Sequence, residues 1–179
     1  GKGAGEFKEL VEEIAVESSL MAGVATSREE AVKLINEKIE SGEALEKFRQ
    51  FITACGGNTD IIEDYSILTS GADSIEVYID DNGYIEKVKA LEIGKASMIL
   101  GAGREKKEDE INYSAGVVLY KKSGEYLEKG EAVAKIYYSK NADLESAEKL
   151  IKESYVLSKL KTEKRKVILE RRGEKVGDK

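Results

Sequence analysis

The residues best placed to do chemistry are Gly101-Ala102-Gly103-Arg104, since glycines beside a guanidinium could cradle a phosphate. Such cradles lead into a helix N-terminus. These glycines follow a helical pattern and sit at its negative end, so the segment reads as a structural loop. Gly1-Lys2-Gly3-Ala4-Gly5 does precede a helical pattern, but it lacks the strand before it and the Lys-Ser/Thr after it that a P-loop requires, and it reads as a flexible chain start. Cys55 lies near a helix C-terminus, where the dipole disfavours a thiolate, and is expected to be a buried structural thiol. Glu105, Glu108, Asp109 and Glu110 offer carboxylates, yet Lys106 and Lys107 intervene and the spacing is not that of a calcium loop. A solvated charged loop is the better reading. Tyr113, Tyr120, Tyr126, Tyr137 and Tyr138 fall in or beside strand patterns with no basic surface around them, and read as packing residues. There is no His, so an imidazole base, a His-based triad and His metal ligands are excluded. No catalytic, metal-binding or cofactor-binding residue is assigned, and no cofactor is expected.

The 179 residues suffice for one domain, or one domain with a small appendage, and can bury a real core. Apolar residues make up 41% and charged residues 36%, with no apolar run long enough to span a bilayer, so a folded, non-membrane chain is expected. The net charge of −6 has the wrong sign for gripping nucleic acid, which is not an expected partner. One Cys allows no intrachain disulfide and no signal peptide is seen, which places the chain in the cytoplasm. It begins at Gly1 rather than Met, as a start part way into a longer gene product would.

Phe7, Leu10, Val11, Ile14 and Ala15 share one face of a helix running to about Met21. Ser27 with Glu30 has the capping-box pattern before a second helix carrying Ala31, Leu34, Ile35 and Ile39. After Ser41-Gly42 a third helix turns Leu45, Phe48, Phe51 and Ile52 inward and stops at Gly56-Gly57. These helices, residues 1–57, form a helical layer, and residues 58–73 a connector. The period then changes to two: Ile75, Val77 and Ile79, the turn Asp81-Asn82-Gly83, and a return strand from Tyr84 to Val88 predict a hairpin. A short helix from Leu91 to Leu100 leads to a charged loop expected to be mobile. Strands follow at 116–121 and 132–138, with turns at Ser123-Gly124 and Lys129-Gly130, then a helix through Leu144, Ala147, Leu150 and Ile151. A last strand is expected over Val167 to Glu170, within a lobe spanning 74–170, and residues 171–179 form a polar tail. The fold class is α+β: an N-terminal helical layer, then a small curved antiparallel or mixed sheet lobe, barrel-sandwich-like, with two helices.

An ordered series of motifs carries a resemblance. Ser41-Gly42-x-Ala44, Phe48, Phe51, Gly56-Gly57, Asn82-Gly83-Tyr84, Ile93-Gly94, Leu100-Gly101-Ala102-Gly103-Arg104 and Lys106-Lys107-Glu108-Asp109 come first. Gly116-Val117-Val118-Leu119, Lys121-Lys122-x-Gly124 and Lys129-Gly130-Glu131-Ala132 then follow. Together they resemble the C-terminal part of the pyrimidine-nucleoside phosphorylases, the family that includes thymidine phosphorylase. Gly1-x-Gly3 with Glu9-Leu10 is similar to the family's linker into the helical segment. Asn112 stands where the family usually carries Asp, which tells against an ion pair at that point.

The resemblance implies reversible phosphorolysis, in which phosphate attacks C1′ of a pyrimidine nucleoside and releases the base and a pentose 1-phosphate. Charge developing on the sugar and the departing base requires donors for the phosphate and a cation near the pyrimidine carbonyls. The family supplies these from a Lys-x-Ser-x-Gly-Gly-x-Gly-Asp loop, an Arg with a Ser-x-x-x-Lys set, and a structural cation site. None of these motifs occurs in this sequence. The resemblance therefore implies a C-terminal fragment that is inactive alone, with residues 1–57 belonging to the family's central α/β domain. The family's homodimer interface would be mostly missing. The implied role of Gly101, Ala102, Gly103, Arg104, Lys106, Lys107 and Asn112 is a loop, with Glu105 in it, that meets the other lobe as the enzyme closes. The alternative is a carrier or stand-alone binding module, since Gly83-Tyr84-Ile85 with Gly124, Leu127, Lys129-Gly130, Val133 and Ile136 also resembles a biotinyl or lipoyl domain. Carriers present a Lys at a hairpin tip, and the tip expected here is Asp81-Asn82-Gly83.

Overall fold

A computed structural model describes residues 5–104, 106–163 and 166–170. It divides into two compact units, the first holding the helices up to Ile62 and the second beginning at Glu63. No helix among the described residues is long and apolar enough to cross a membrane.

The first unit contains α1 (Gly5–Met21), α2 (Arg28–Glu40) and α3 (Glu43–Ala54). Ser27 caps α2 by accepting from the Glu30 amide at 3.2 Å. The Glu30 carboxylate reaches one residue beyond a reciprocal box, accepting from the amide and hydroxyl of Thr26, and these bonds hold its pKa below the usual carboxylate range. Arg28 ties α2 back to Glu13 and Glu17 on α1. The small core is Val16, Leu20, Ala25 and Ala31, with Leu34 and Ile35 against it.

The face expected to be buried on α1 is not the one that packs. Phe7, Val11 and Ile14 are exposed, and Val16 and Leu20, roughly opposite them at 100° per residue, meet α2. This helix is apolar on two sides, and periodicity alone does not choose between them. The α3 stripe forms, but only Ile52 is buried; Leu45, Phe48 and Phe51 are exposed. Gly56 has φ +72 and ends α3 as expected. The thiol of Cys55 is exposed rather than buried, because it lies on the uncovered C-terminal turn of that helix.

The second unit begins with a 3₁₀ turn over Tyr65–Thr69 and builds two three-stranded antiparallel sheets. Strands β1 (Asp73–Tyr78) and β3 (Gly116–Leu119) flank β5 (Ala132–Tyr138) in one sheet. In the other, β4 (Tyr126–Leu127) and β6 (Tyr155–Ser158) flank β2 (Gly83–Val88). Helices α4 (Ala90–Ser97) and α5 (Leu144–Ser154) complete the α+β fold. Val77, Ile85, Leu100, Leu127, Ile136 and Ile151 are fully enclosed in one core that draws on both sheets and both helices.

Two strand expectations are corrected. β1 and β2 do not form a hairpin with each other: Ile75 and Val77 pair with Ile136 and Ala134 on β5, whereas β2 pairs with β4 and β6. Residues 79–82 therefore carry the chain from one sheet to the other. Gly83 allows the crossing, because at its φ of +153 a Cβ would lie 2.8 Å from the Ser158 carbonyl oxygen. No strand forms over Val167 to Glu170; among the described residues the last strand is β6, which starts where α5 ends with no turn residue to announce it.

Tyr155, the first residue of β6, is buried, and its hydroxyl lies 3.1 Å from the carbonyl of Lys121 and 3.0 Å from that of Val133. Burial, with a smaller contribution from the Glu125 charge, pushes this phenol from 10.0 up to about 12. The folded chain thus keeps a proton that the unfolded chain releases. Its stabilising contribution is complete below about pH 10 and is lost as the pH rises toward about 12. Tyr155→Phe is expected to cost about 1 kcal/mol at neutral pH through the lost hydrogen bond. Urea titrations at pH 8 and pH 11 should also show a smaller alkaline loss than in the parent chain; an equal loss would place the titrating group elsewhere.

Candidate functional site

Helix α4 does not end cleanly. It runs into a π turn over Met98–Ala102, where Gly101 has φ +102 and ψ 1. Only glycine occupies that backbone region cheaply, and a Cβ there would lie 2.5 Å from Ser139 Oγ. Gly103 is extended, but its Cβ would press on Met98 at 3.3 Å. Gly101 is thus required by its backbone and by close packing, whereas a side chain at Gly103 needs Met98 to give by a few tenths of an ångström.

The segment from Gly101 to Asn112 leaves the lobe and returns to the same place. The Asn112 amide donates to the Gly101 carbonyl at 2.9 Å, which joins the two ends of the loop. Asn112 Nδ2 donates to Ser139 Oγ at 3.0 Å, and Asn112 Oδ1 accepts from the Ser114 amide at 3.0 Å. Ser139 hydrogen-bonds to the Leu100 carbonyl twice, from its amide at 3.2 Å and from its hydroxyl at 3.3 Å. Leu100 itself is fully buried, so this attachment is anchored in the core. Further along, the Ser114 hydroxyl donates to the Ser70 carbonyl at 2.9 Å. An amide at position 112 therefore uses both a donor and an acceptor, and no ion pair is needed there.

Within the loop, Asp109 accepts from the Lys106 amide at 2.8 Å and its own amide donates to the Lys106 carbonyl at 3.2 Å, forming a turn. Arg104, Lys106 and Lys107 are exposed. Arg104 makes no hydrogen bond or ion pair to another described residue. Glu105 lies outside the described residues, as do Gly1 to Ala4 of the glycine-rich start and the tail from Arg171. Among the described residues no group of three or more Cys, Asp or Glu side chains could hold a metal ion. The loop thus offers cations on a hydrogen-bonded base.

Other singled-out residues fall elsewhere. Tyr113 is almost fully exposed at 86%, so it packs against no core. Tyr126 meets Tyr84 edge-on with centroids 5.0 Å apart, and Lys135 Nζ sits 5.1 Å above the Tyr137 ring. The hydroxyl of Tyr120 lies 3.4 Å from the Glu76 carboxylate. Asp81-Asn82-Gly83 is part of a link between sheets and not the tip of a hairpin, and no Lys stands there. Ser139 was not marked by any sequence pattern, since its importance arises from residues 27 and 39 positions away.

Comparison with known proteins adds to this geometry. Residues 84–158 match the family described as the pyrimidine nucleoside phosphorylase C-terminal domain. The chain is similar to the pyrimidine-nucleoside phosphorylase of Staphylococcus haemolyticus (strain JCSC1435), 41% identical over 137 residues that cover 76% of this chain and 32% of that protein. It is also similar to the protein of the same name from Bacillus subtilis (strain 168), 37% identical over 155 residues that cover 87% of this chain and 35% of that protein. A third relative of that name, from Staphylococcus aureus (strain NCTC 8325 / PS 47), is 37% identical over 158 residues, 88% of this chain and 36% of its own. The chain thus spans about a third of the length of the curated relatives it matches.

Proposed function

The chain belongs to the pyrimidine-nucleoside phosphorylase family through that family's C-terminal domain, and from this premise we propose that it serves as the closing lobe of an enzyme that splits pyrimidine nucleosides with phosphate. Residues 1–57 then belong to the enzyme's central α/β domain. The observation that carries the reading is the loop between Gly101 and Asn112, hydrogen-bonded across its base and presenting Arg104, Lys106 and Lys107 to solvent. Cations on a rigid stem suit docking against another lobe. They do not suit the chemical step, which needs converging donors around phosphate and a cation over the pyrimidine carbonyls. The sequence has no Lys-x-Ser-x-Gly-Gly-x-Gly-Asp loop to supply them. In this reading the reacting groups come from outside residues 1–179, and the lobe excludes water and fixes the closed geometry.

Two measurements test it. The chain alone, given uridine or thymidine with phosphate, is expected to release no uracil or thymine, and measurable turnover would refute the claim that the reacting groups lie elsewhere. In a full-length enzyme carrying this lobe, Arg104→Ala is expected to lower kcat/KM for uridine about tenfold, the worth of one charge-assisted hydrogen bond made on closure. Unchanged kcat and KM would remove the loop from closure.

A further inference from the structure

We propose that Ser139 is a positioning residue for Arg104, acting through the stem of the loop; this rests on the closure reading above. The Ser139 hydroxyl occupies the point where three segments meet. Its oxygen accepts from Asn112 Nδ2 at 3.0 Å, on the returning arm of the loop. Its proton is directed to the Leu100 carbonyl at 3.3 Å, at the start of the departing arm. Ser139 itself immediately follows Tyr138, the last residue of β5, the central strand of its sheet.

A hydroxyl is the one small group that both donates and accepts at a single atom, and both capacities are used. The arms are also tied directly, by the Asn112 amide on the Gly101 carbonyl. The departing arm is also held to the end of β5 by the Ser139 amide on the Leu100 carbonyl. What the hydroxyl adds is the bond from Asn112, which fixes the returning arm against that same point. Gly101 is part of the same arrangement, since the space its absent Cβ would fill is the space the hydroxyl takes. Arg104 stands three residues beyond Gly101, so a tilt at the stem is magnified at its guanidinium. A displacement of about 1 Å at a positioned group is enough to cost an enzyme a large factor in rate.

The test uses the full-length enzyme in four forms: parent, Ser139→Ala, Arg104→Ala and the double variant, with kcat and KM for uridine measured in each. If Ser139 works through Arg104, Ser139→Ala lowers kcat/KM about tenfold with the same division between kcat and KM as Arg104→Ala. It then adds nothing in the Arg104→Ala background. Asn112→Ala, which removes the other end of the same bond, gives the same pattern. A merely structural serine would lower thermal stability yet leave these kinetics non-interacting. Parental kinetics for Ser139→Ala beside a slow Arg104→Ala would overturn this inference and leave the closure reading standing, as would losses that multiply in the double variant. Parental kinetics for Arg104→Ala would overturn both.

Discussion

Gly101→Ala is expected to destabilise the second unit by about 3 kcal/mol or more, a large part of what holds a domain of this size together. An L-residue at φ +102 costs about 1–3 kcal/mol by itself. The added Cβ would lie 2.5 Å from Ser139 Oγ, so the hydroxyl must leave its place between Leu100 and Asn112, and each of its two hydrogen bonds is worth about 1 kcal/mol. Urea unfolding of the chain followed by tyrosine fluorescence measures the loss. The cause is separable by adding Ser139→Ala. With Oγ gone the nearest Ser139 atom to the new Cβ is at 3.6 Å, an ordinary contact, and both hydroxyl bonds are already absent, so Gly101→Ala should then cost about 2 kcal/mol less than it does in the parent. Equal costs in both backgrounds would attribute the whole effect to backbone strain.

Ile136→Ala should cost about 2–5 kcal/mol, while Val118→Ala on the same sheet should stay within about 0.5 kcal/mol. Ile136 lies on the central strand β5, between Ile75 on β1 and Val117 on β3, and is fully enclosed. Truncating it leaves a void bounded by two neighbouring strands and the opposing layer, which a rigid sheet cannot collapse to fill. Val118 is one residue along from Val117, so it points to the other side of the sheet and is 48% exposed. Its truncation removes only a partly wet surface contact. Comparable losses at the two positions would mean that the sheet is not buried on one face.

The contrast between those two valine and isoleucine positions also explains how much could be read from the sequence. Alternation at Ile75, Val77 and Ile79 identified a strand and its inner face, because a period of two is a property of one strand alone. In Tyr84 to Val88 a bulge between Ile85 and Lys87 breaks the alternation, so the strand was legible but its inner face was not. Alternation does not identify the neighbour. The Asn82-Gly83 turn signal suggested the nearest partner in the chain, yet both strands found better apolar partners much later in it. The α1 face failed for a related reason: Phe7-Val11-Ile14 and Val16-Leu20 both satisfy helical spacing, and only the position of α2 separates them. Strand β6 was obscured because it follows α5 without punctuation, and the Val167 segment, equally β-branched, has no strand beside it. Of the candidate site, Gly101 and Gly103 were legible as special by composition and Arg104 by charge. Ser139 was not, since nothing local distinguishes it from other serines.

The link that carries residues 79–82 from one sheet to the other also sets the order in which the lobe can be made. Asp73 waits for Tyr138 and Tyr84 for Ser158, so neither early strand gains its long partner until the far end of the unit has left the ribosome. A hairpin would have closed within microseconds of its own synthesis. This topology instead keeps two unsatisfied strand edges waiting while the residues between them and their partners are made, and it belongs with the slow, loop-closure-limited folders.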